Sequence, residues 1–88
     1  MPKPASLAGR GGVWFAIGGQ QLHVGVERPF TPARKAHPAL RVASPGALRA
    51  LARTLEAGGV DVAWDAELPG VERCFVDDPW GNRLELLA

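Results

Sequence analysis

The sequence predicts an α+β fold in which a β-hairpin precedes one complete βαβββ module. Near the start of the chain, two segments of alternating apolar and polar residues flank a Gly-Gly pair, which is typical of a hairpin. Further along, one segment has apolar residues at helical spacing between a helix-start signal and a second Gly-Gly pair. Four short segments, one before this helix and three after it, alternate with a period of two.

The hairpin is predicted over residues 13–27, with its turn at Gly18-Gly19. Both of its strands carry large apolar side chains at every second position, so each strand has one apolar side. These side chains belong to Val13, Phe15, Ile17, Leu22, Val24 and Val26. Residues 1–12 hold two prolines and end in Gly11-Gly12, and they are predicted to form an irregular lead-in.

The βαβββ module is predicted over about residues 36–88. Ser44 is suited to cap a helix that has Pro45 at its first position, and Gly58-Gly59 is suited to end it. The strands of the module are predicted at residues 37–42, 60–64, 73–77 and 83–87.

One face of the predicted sheet is expected to be covered by the helix. The helix carries a single apolar stripe, formed by Leu48, Leu51, Ala52 and Leu55. The strands offer a matching apolar side, which includes Leu40, Val42, Leu84 and Leu86. The opposite face of the sheet has no helix in the module to cover it.

Composition limits the classes of function. A chain of 88 residues is one small domain with a thin core, and its single cysteine excludes an internal disulfide and a Cys-rich zinc site. A formal net charge of +1 argues against nucleic acid as a partner. No apolar run is long enough for a membrane span, and the first residues do not form a signal peptide. We therefore expect one cytoplasmic domain over residues 1–88 that binds neither nucleic acid nor membrane.

Three side chains that are suited to bind a metal ion lie, by strand parity, on the side opposite to the apolar residues. His23, His37 and Glu85 all lie on the polar sides of their strands. Two imidazoles and one carboxylate suit a divalent transition metal with open coordination positions. On parity alone the same three groups could equally be solvated or hydrogen-bonded surface side chains.

Two arginines and one tryptophan are candidates for contact with a ligand. Arg41 and Arg83 share the faces of His37 and Glu85 and could bind an anionic group, or could form surface ion pairs of little energetic value. Trp14 lies opposite the apolar side of its strand and could line a binding cavity.

The segment Phe75–Leu86 resembles the closing signature of the glyoxalase / bleomycin-resistance / extradiol-dioxygenase superfamily, also called the vicinal oxygen chelate superfamily. Members end a βαβββ module with a strand, an Asp-Pro-x-Gly-Asn turn, here Asp78–Asn82, and a strand that holds a metal-binding Glu. Lys35–Leu40 resembles the first strand of the same module, and Gln21–Glu27 resembles the last strand of the preceding one.

The resemblance implies a site and a cofactor. Carried over position by position, it makes His23, His37 and Glu85 ligands of a divalent ion (Zn, Ni, Mn or Fe), with Glu85 also in a catalytic role. Trp14, Arg41 and Arg83 remain the candidates for substrate contact, on the argument from strand parity given above.

The chain departs from the family pattern at its start. A usual member has two βαβββ modules that curl into a cup, whereas here the first module is reduced to its final hairpin. The chain is therefore identified as an N-terminally truncated member, either a natural short form or a fragment. Without a helix, the apolar side of the hairpin is expected to be exposed, which predicts a homodimer that covers it and completes the cup between chains.

Three functions remain open at this point. The first is a metal-dependent lyase or dioxygenase of the glyoxalase type, in which the metal acts as a Lewis acid on a small oxygen-bearing substrate. The second is a metal-free protein that binds a small molecule, as drug-sequestering members of the superfamily do. The third is an inactive truncated fragment.

Overall fold

Residues 11–88 are the part of the chain that the computed structural model describes. The chain divides into two compact units, Met1–Thr31 and Pro32–Ala88, which we call the hairpin unit and the sheet unit. The predicted α+β class is confirmed, because a two-stranded hairpin is followed by a four-stranded sheet with one helix. The predicted lead-in over residues 1–12 lies outside the described residues except for its last two.

The hairpin consists of β1 (Val13–Ile17) and β2 (Gln20–Val24), which pair antiparallel around the predicted Gly-Gly turn. It ends three residues before the predicted limit at residue 27. The ladder pairs Val13, the first residue of β1, with Val24, the last residue of β2.

The sheet unit has the strand order β3-β6-β5-β4, with β3 parallel to β6 and the other neighbours antiparallel. Its strands are β3 (Ala39–Arg41), β4 (Ala63–Asp65), β5 (Arg73–Asp77) and β6 (Arg83–Leu87). The last two have the predicted bounds, and β3 is shorter than predicted. The strand β4 begins three residues later than predicted and ends one residue later, at Asp65, which was predicted to lie in a loop. Pro38 has no N–H for a ladder, and only three residues of β4 find partners on β5.

The helix α1 (Pro45–Ala57) has the predicted start and end. The side chain of Ser44 accepts a hydrogen bond from the backbone N–H of Ala47 at 3.1 Å. After the helix, Gly59 has a φ of +88°, a left-handed conformation that glycine adopts without steric cost. The helical part of residues 11–88 offers no segment with the length and apolarity of a membrane span.

The core of the sheet unit lies between α1 and one face of the sheet, as predicted. Its buried members are Leu48, Ala52, Cys74, Val76 and Leu86. One residue of the predicted stripe is not part of it, because Leu51 is 36% exposed. At about 100° per residue, Leu51 lies some 60° around the helix from Leu48, at the edge of the stripe. The apolar stripe predicted for α1 was therefore too wide on the side of Leu51.

Candidate functional site

The open face of the sheet unit, on the side away from α1, holds a pair of predicted site residues. The Nε2 atom of His37 lies 2.9 Å from the Oε1 atom of Glu85. The Glu85 residue is 8% exposed, and the His37 side chain is 24% exposed. A carboxylate this buried needs charged or hydrogen-bonding partners, and His37 is one of them.

The strands bring this pair together. Glu85 lies between two leucines of β6 that pack toward α1, so its side chain points to the open face. Its backbone N–H donates to the carbonyl of Pro38 at 3.0 Å, and Ala39 is its register partner on β3. His37 immediately precedes this contact and therefore lies beside Glu85.

The ring of His37 is held at both nitrogens. Its Nδ1 atom lies 2.8 Å from the carbonyl oxygen of Lys35. The hydrogen bond to Glu85 raises the pKa of His37 most, the Lys35 carbonyl raises it further, and desolvation and the charge of Arg83 oppose the shift. The carbonyl oxygen of Lys35 can only accept a hydrogen bond, so Nδ1 carries a proton, and a ring protonated at both nitrogens donates to both partners.

Arg73 and Asp65 were missed at the sequence level, although they contact this pair. The Nη1 atom of Arg73 lies 3.5 Å from Oε2 of Glu85, and its Nε donates to Oδ2 of Asp65 at 2.6 Å. The hydrogen bond to Asp65 is the largest cause that raises the pKa of Arg73. Alternation along β5 could have identified Arg73 from the sequence, because Arg73 lies on the side of the strand opposite to its buried residues.

Phe75 was also missed, and it joins the charged groups of the open face. Its ring meets the ring of His37 edge-on, with centroids 5.6 Å apart and an angle of 81°. The guanidinium carbons of Arg73 and Arg83 lie 5.3 Å and 5.4 Å from the centroid of Phe75, within cation–π range. Phe75 is the register partner of Glu85, so it belongs to the same face.

The two predicted ligand-binding arginines are both exposed. Arg41 lies on β3 and Arg83 on β6, and strand parity places both on the face of Glu85. Within residues 11–88, neither guanidinium forms an ion pair with a carboxylate. Each is therefore available, within that range, to an anionic group from outside the chain.

The other two predicted site residues lie in the hairpin unit. Trp14 and His23 are register partners on β1 and β2, and their rings stack with centroids 3.7 Å apart and an angle of 2°. The Nε2 atom of His23 lies 2.9 Å from the side-chain oxygen of Gln21 and donates to it. The described residues of neither unit by itself hold a group of three His, Cys, Asp or Glu side chains placed for a metal ion.

Comparison with known proteins identifies one family. No protein-family model and no curated protein matches the chain. Among solved structures, the chain is similar to the crystal structure of a protein from Bacillus anthracis that is assigned to the glyoxalase family. The two share 42% sequence identity with a TM-score of 0.91, over 99% of this chain and 69% of that one. The chain thus spans about two thirds of the length of that relative.

Proposed function

Because this chain belongs to the glyoxalase family, we propose that it is a metal-dependent enzyme that acts on a small oxygen-bearing substrate. The observation that carries the proposal is the convergence of His37 Nε2 and Glu85 Oε1 on the open face of the sheet unit. An imidazole nitrogen and a carboxylate oxygen are ligand atoms that Zn, Ni, Mn and Fe ions accept.

The surroundings of His37 fit a role as metal ligand. Its Nδ1–H is fixed by the carbonyl of Lys35, which is the backbone contact that orients many metal-binding histidines. With the proton held there, loss of the second ring proton leaves the lone pair of Nε2 directed to the open face. The assignment of His23 as a further ligand rests on strand parity and on the sequence resemblance.

The residues of the open face have separate proposed roles. A bound ion would supply a Lewis acid for two oxygen atoms of the substrate. Glu85 would hold or accept a proton at its carboxylate. Arg83, seated on Phe75, would bind an anionic group of the substrate, with Arg41 as a second cation on the same face. For Trp14 in the hairpin unit, contact with substrate stays a prediction from sequence.

The first test is metal binding by protein purified without a histidine tag. We expect stoichiometric uptake of one or more of Zn²⁺, Ni²⁺, Mn²⁺ and Fe²⁺, measured by elemental analysis after dialysis. His37→Ala and Glu85→Ala should lose this uptake while the far-UV circular dichroism spectrum is retained. Glu72→Ala, which removes a carboxylate paired with Arg49, is the matched control and should keep it. Less than about a tenth of an equivalent in the unaltered protein would sink the metal-dependent function.

A metal-free binding protein is the second candidate, and Arg83 favours it. Its guanidinium lies over Phe75 and has no carboxylate partner in residues 11–88. In the presence of EDTA, benzoate should then bind more tightly than its neutral analogue benzamide, measured by calorimetry. Arg83→Gln should weaken benzoate binding, whereas Arg53→Gln on α1 should not. Equal binding of the two probes would count against an anion site. Failure of both the metal and the anion experiments would favour an inactive chain.

A further inference from the structure

A row of alternating charges crosses the open face of the sheet unit. It runs from Asp65 on β4 through Arg73 on β5 and Glu85 on β6 to His37 beside β3. Each neighbouring pair is in contact, at 2.6 Å for Asp65 and Arg73, 3.5 Å for Arg73 and Glu85, and 2.9 Å for Glu85 and His37. The side chains along the row are between 10% and 24% exposed, so water screens them only in part.

Strand register explains why Arg73 reaches both carboxylates. Asp65 lies directly opposite Arg73 in the β4–β5 ladder. Glu85 lies opposite Phe75, two residues further along β5, so Arg73 and Glu85 are diagonal neighbours. Long side chains can span that diagonal. Arg73 is therefore anchored on Asp65 and extends toward Glu85, with its guanidinium resting against Phe75.

The two oxygen atoms of Glu85 have different partners. Oε1 faces His37, whereas Oε2 faces Arg73. A guanidinium stays charged at any pH of interest, so the partner of Oε2 is a permanent cation. The carboxylate cannot rotate without leaving one of these contacts, which costs free energy at a buried position.

We propose that Arg73, anchored by Asp65, is a positioning residue that holds Oε2 of Glu85 and thereby presents Oε1 to the open face beside His37. The inference rests on the proposed function, since it concerns the same candidate site. Arg73 is assigned no contact with substrate. Its action on the site passes through Glu85.

The test is the affinity for Zn²⁺ and Ni²⁺, measured by calorimetry on protein without a histidine tag. Arg73→Met should weaken binding by about ten- to a hundredfold, as is usual when a partner of a metal ligand is lost. Arg73→Lys should also weaken it, because an ammonium keeps the charge but cannot contact both carboxylates with a fixed fork. Unchanged affinity in Arg73→Met overturns the proposal. Tighter binding also overturns it, because Arg73 would then act only as a repelling charge.

Asp65, which holds Arg73 in place, provides a second and independent variant. Asp65→Asn changes no atom in contact with Glu85, yet it should weaken metal binding if Arg73 depends on Asp65 for its position. In an Arg73→Met background, Asp65→Asn should cause no further loss. Arg49→Met is the control, because it breaks a more exposed arginine–glutamate pair with Glu72 and should leave the affinity unchanged.

If the unaltered protein binds no metal, the metal-dependent function is rejected. The contact between Arg73 and Glu85 is then tested separately, by urea unfolding in EDTA. If Arg73 holds Glu85, the loss of unfolding midpoint caused by Arg73→Met should shrink in a Glu85→Gln background. Purely additive losses overturn the positioning role independently of the metal.

Discussion

The hairpin unit and the sheet unit are built from similar alternating strands, but they differ in what lies against the apolar sides. In the sheet unit, α1 covers one face, and Cys74, Val76 and Leu86 are at most 7% exposed. In the hairpin unit, Val13 and Phe15 are 49% and 48% exposed. Alternation therefore assigns a side to each residue, whereas burial requires a second layer of structure.

This difference matters for the candidate site. Glu85 lies on β6, whose opposite side is fixed by the core, and His37 lies next to the start of β3 in the same sheet. Such support holds a functional side chain in place. Trp14 stacks on His23, and His23 also contacts Gln21, on strands whose apolar side is half exposed. The groups with the firmest support are those on which the proposed function rests.

The largest expected effect comes from the core of the sheet unit. Leu48→Ala should lower the free energy of unfolding by about 2–5 kcal/mol, because Leu48 is fully buried and its truncation leaves a cavity. Leu51→Ala on the same helix should lower it by less than about 1 kcal/mol, because that side chain is 36% exposed. Urea unfolding measures both. Equal losses at the two positions would show that α1 does not seal the sheet as described.

A smaller effect is expected at the turn between β5 and β6. The carboxylate of Asp78 accepts backbone hydrogen bonds from Trp80 and Asn82 at 2.9 Å and 2.8 Å, and one from the side-chain amide of Asn82 at 2.8 Å. Asp78→Ala should cost about 2 kcal/mol of stability at neutral pH. Asp77→Ala, at an exposed neighbouring carboxylate, should cost less than about 0.5 kcal/mol.

Asp78 should also make stability depend on pH. Burial alone would raise its pKa, but the hydrogen bonds from Asn82, Trp80 and Gly81 outweigh this and lower the pKa below its usual value. The stabilisation is then complete above the unfolded pKa of about 3.9 and is lost as the pH falls through the lower folded value. The difference in stability between the unaltered protein and Asp78→Ala should therefore shrink below about pH 4. A difference that stays constant down to pH 2 would contradict this account.

Local signals were sufficient for the helix and for the last two strands. Ser44 and Pro45 define the start of α1 and the following Gly-Gly pair defines its end, and these interactions lie within a few residues of one another. The limits of β2, β3 and β4 depend instead on how far the partner strand extends. That length is set by register, which the sequence of one strand does not contain.

The same distinction applies to the candidate site. Parity and the resemblance pointed to His37 and Glu85, and the structure places these two in contact. Arg73 and Asp65 were not identified, because their contacts depend on which strands are neighbours in the sheet. Alternation along β5 could have placed Arg73 opposite the buried residues of that strand, but the order β6-β5-β4 was needed to show that it touches both carboxylates.

The smallest expected effect on stability belongs to the hairpin, where the expected change is in association. We propose that a second copy of the chain covers the apolar side of the hairpin, because Val13, Phe15 and Val24 are between 41% and 49% exposed. Phe15→Ser should then shift the mass measured by light scattering from dimer toward monomer, while the free energy of unfolding of the monomer changes by less than about 0.5 kcal/mol. Ala16→Ser, on the other side of β1, is the control and should leave the mass unchanged. A monomer at micromolar concentration in the unaltered protein would contradict the proposal. In that case the apolar side of the hairpin would stay exposed, because no second copy would cover it as α1 covers one face of the sheet.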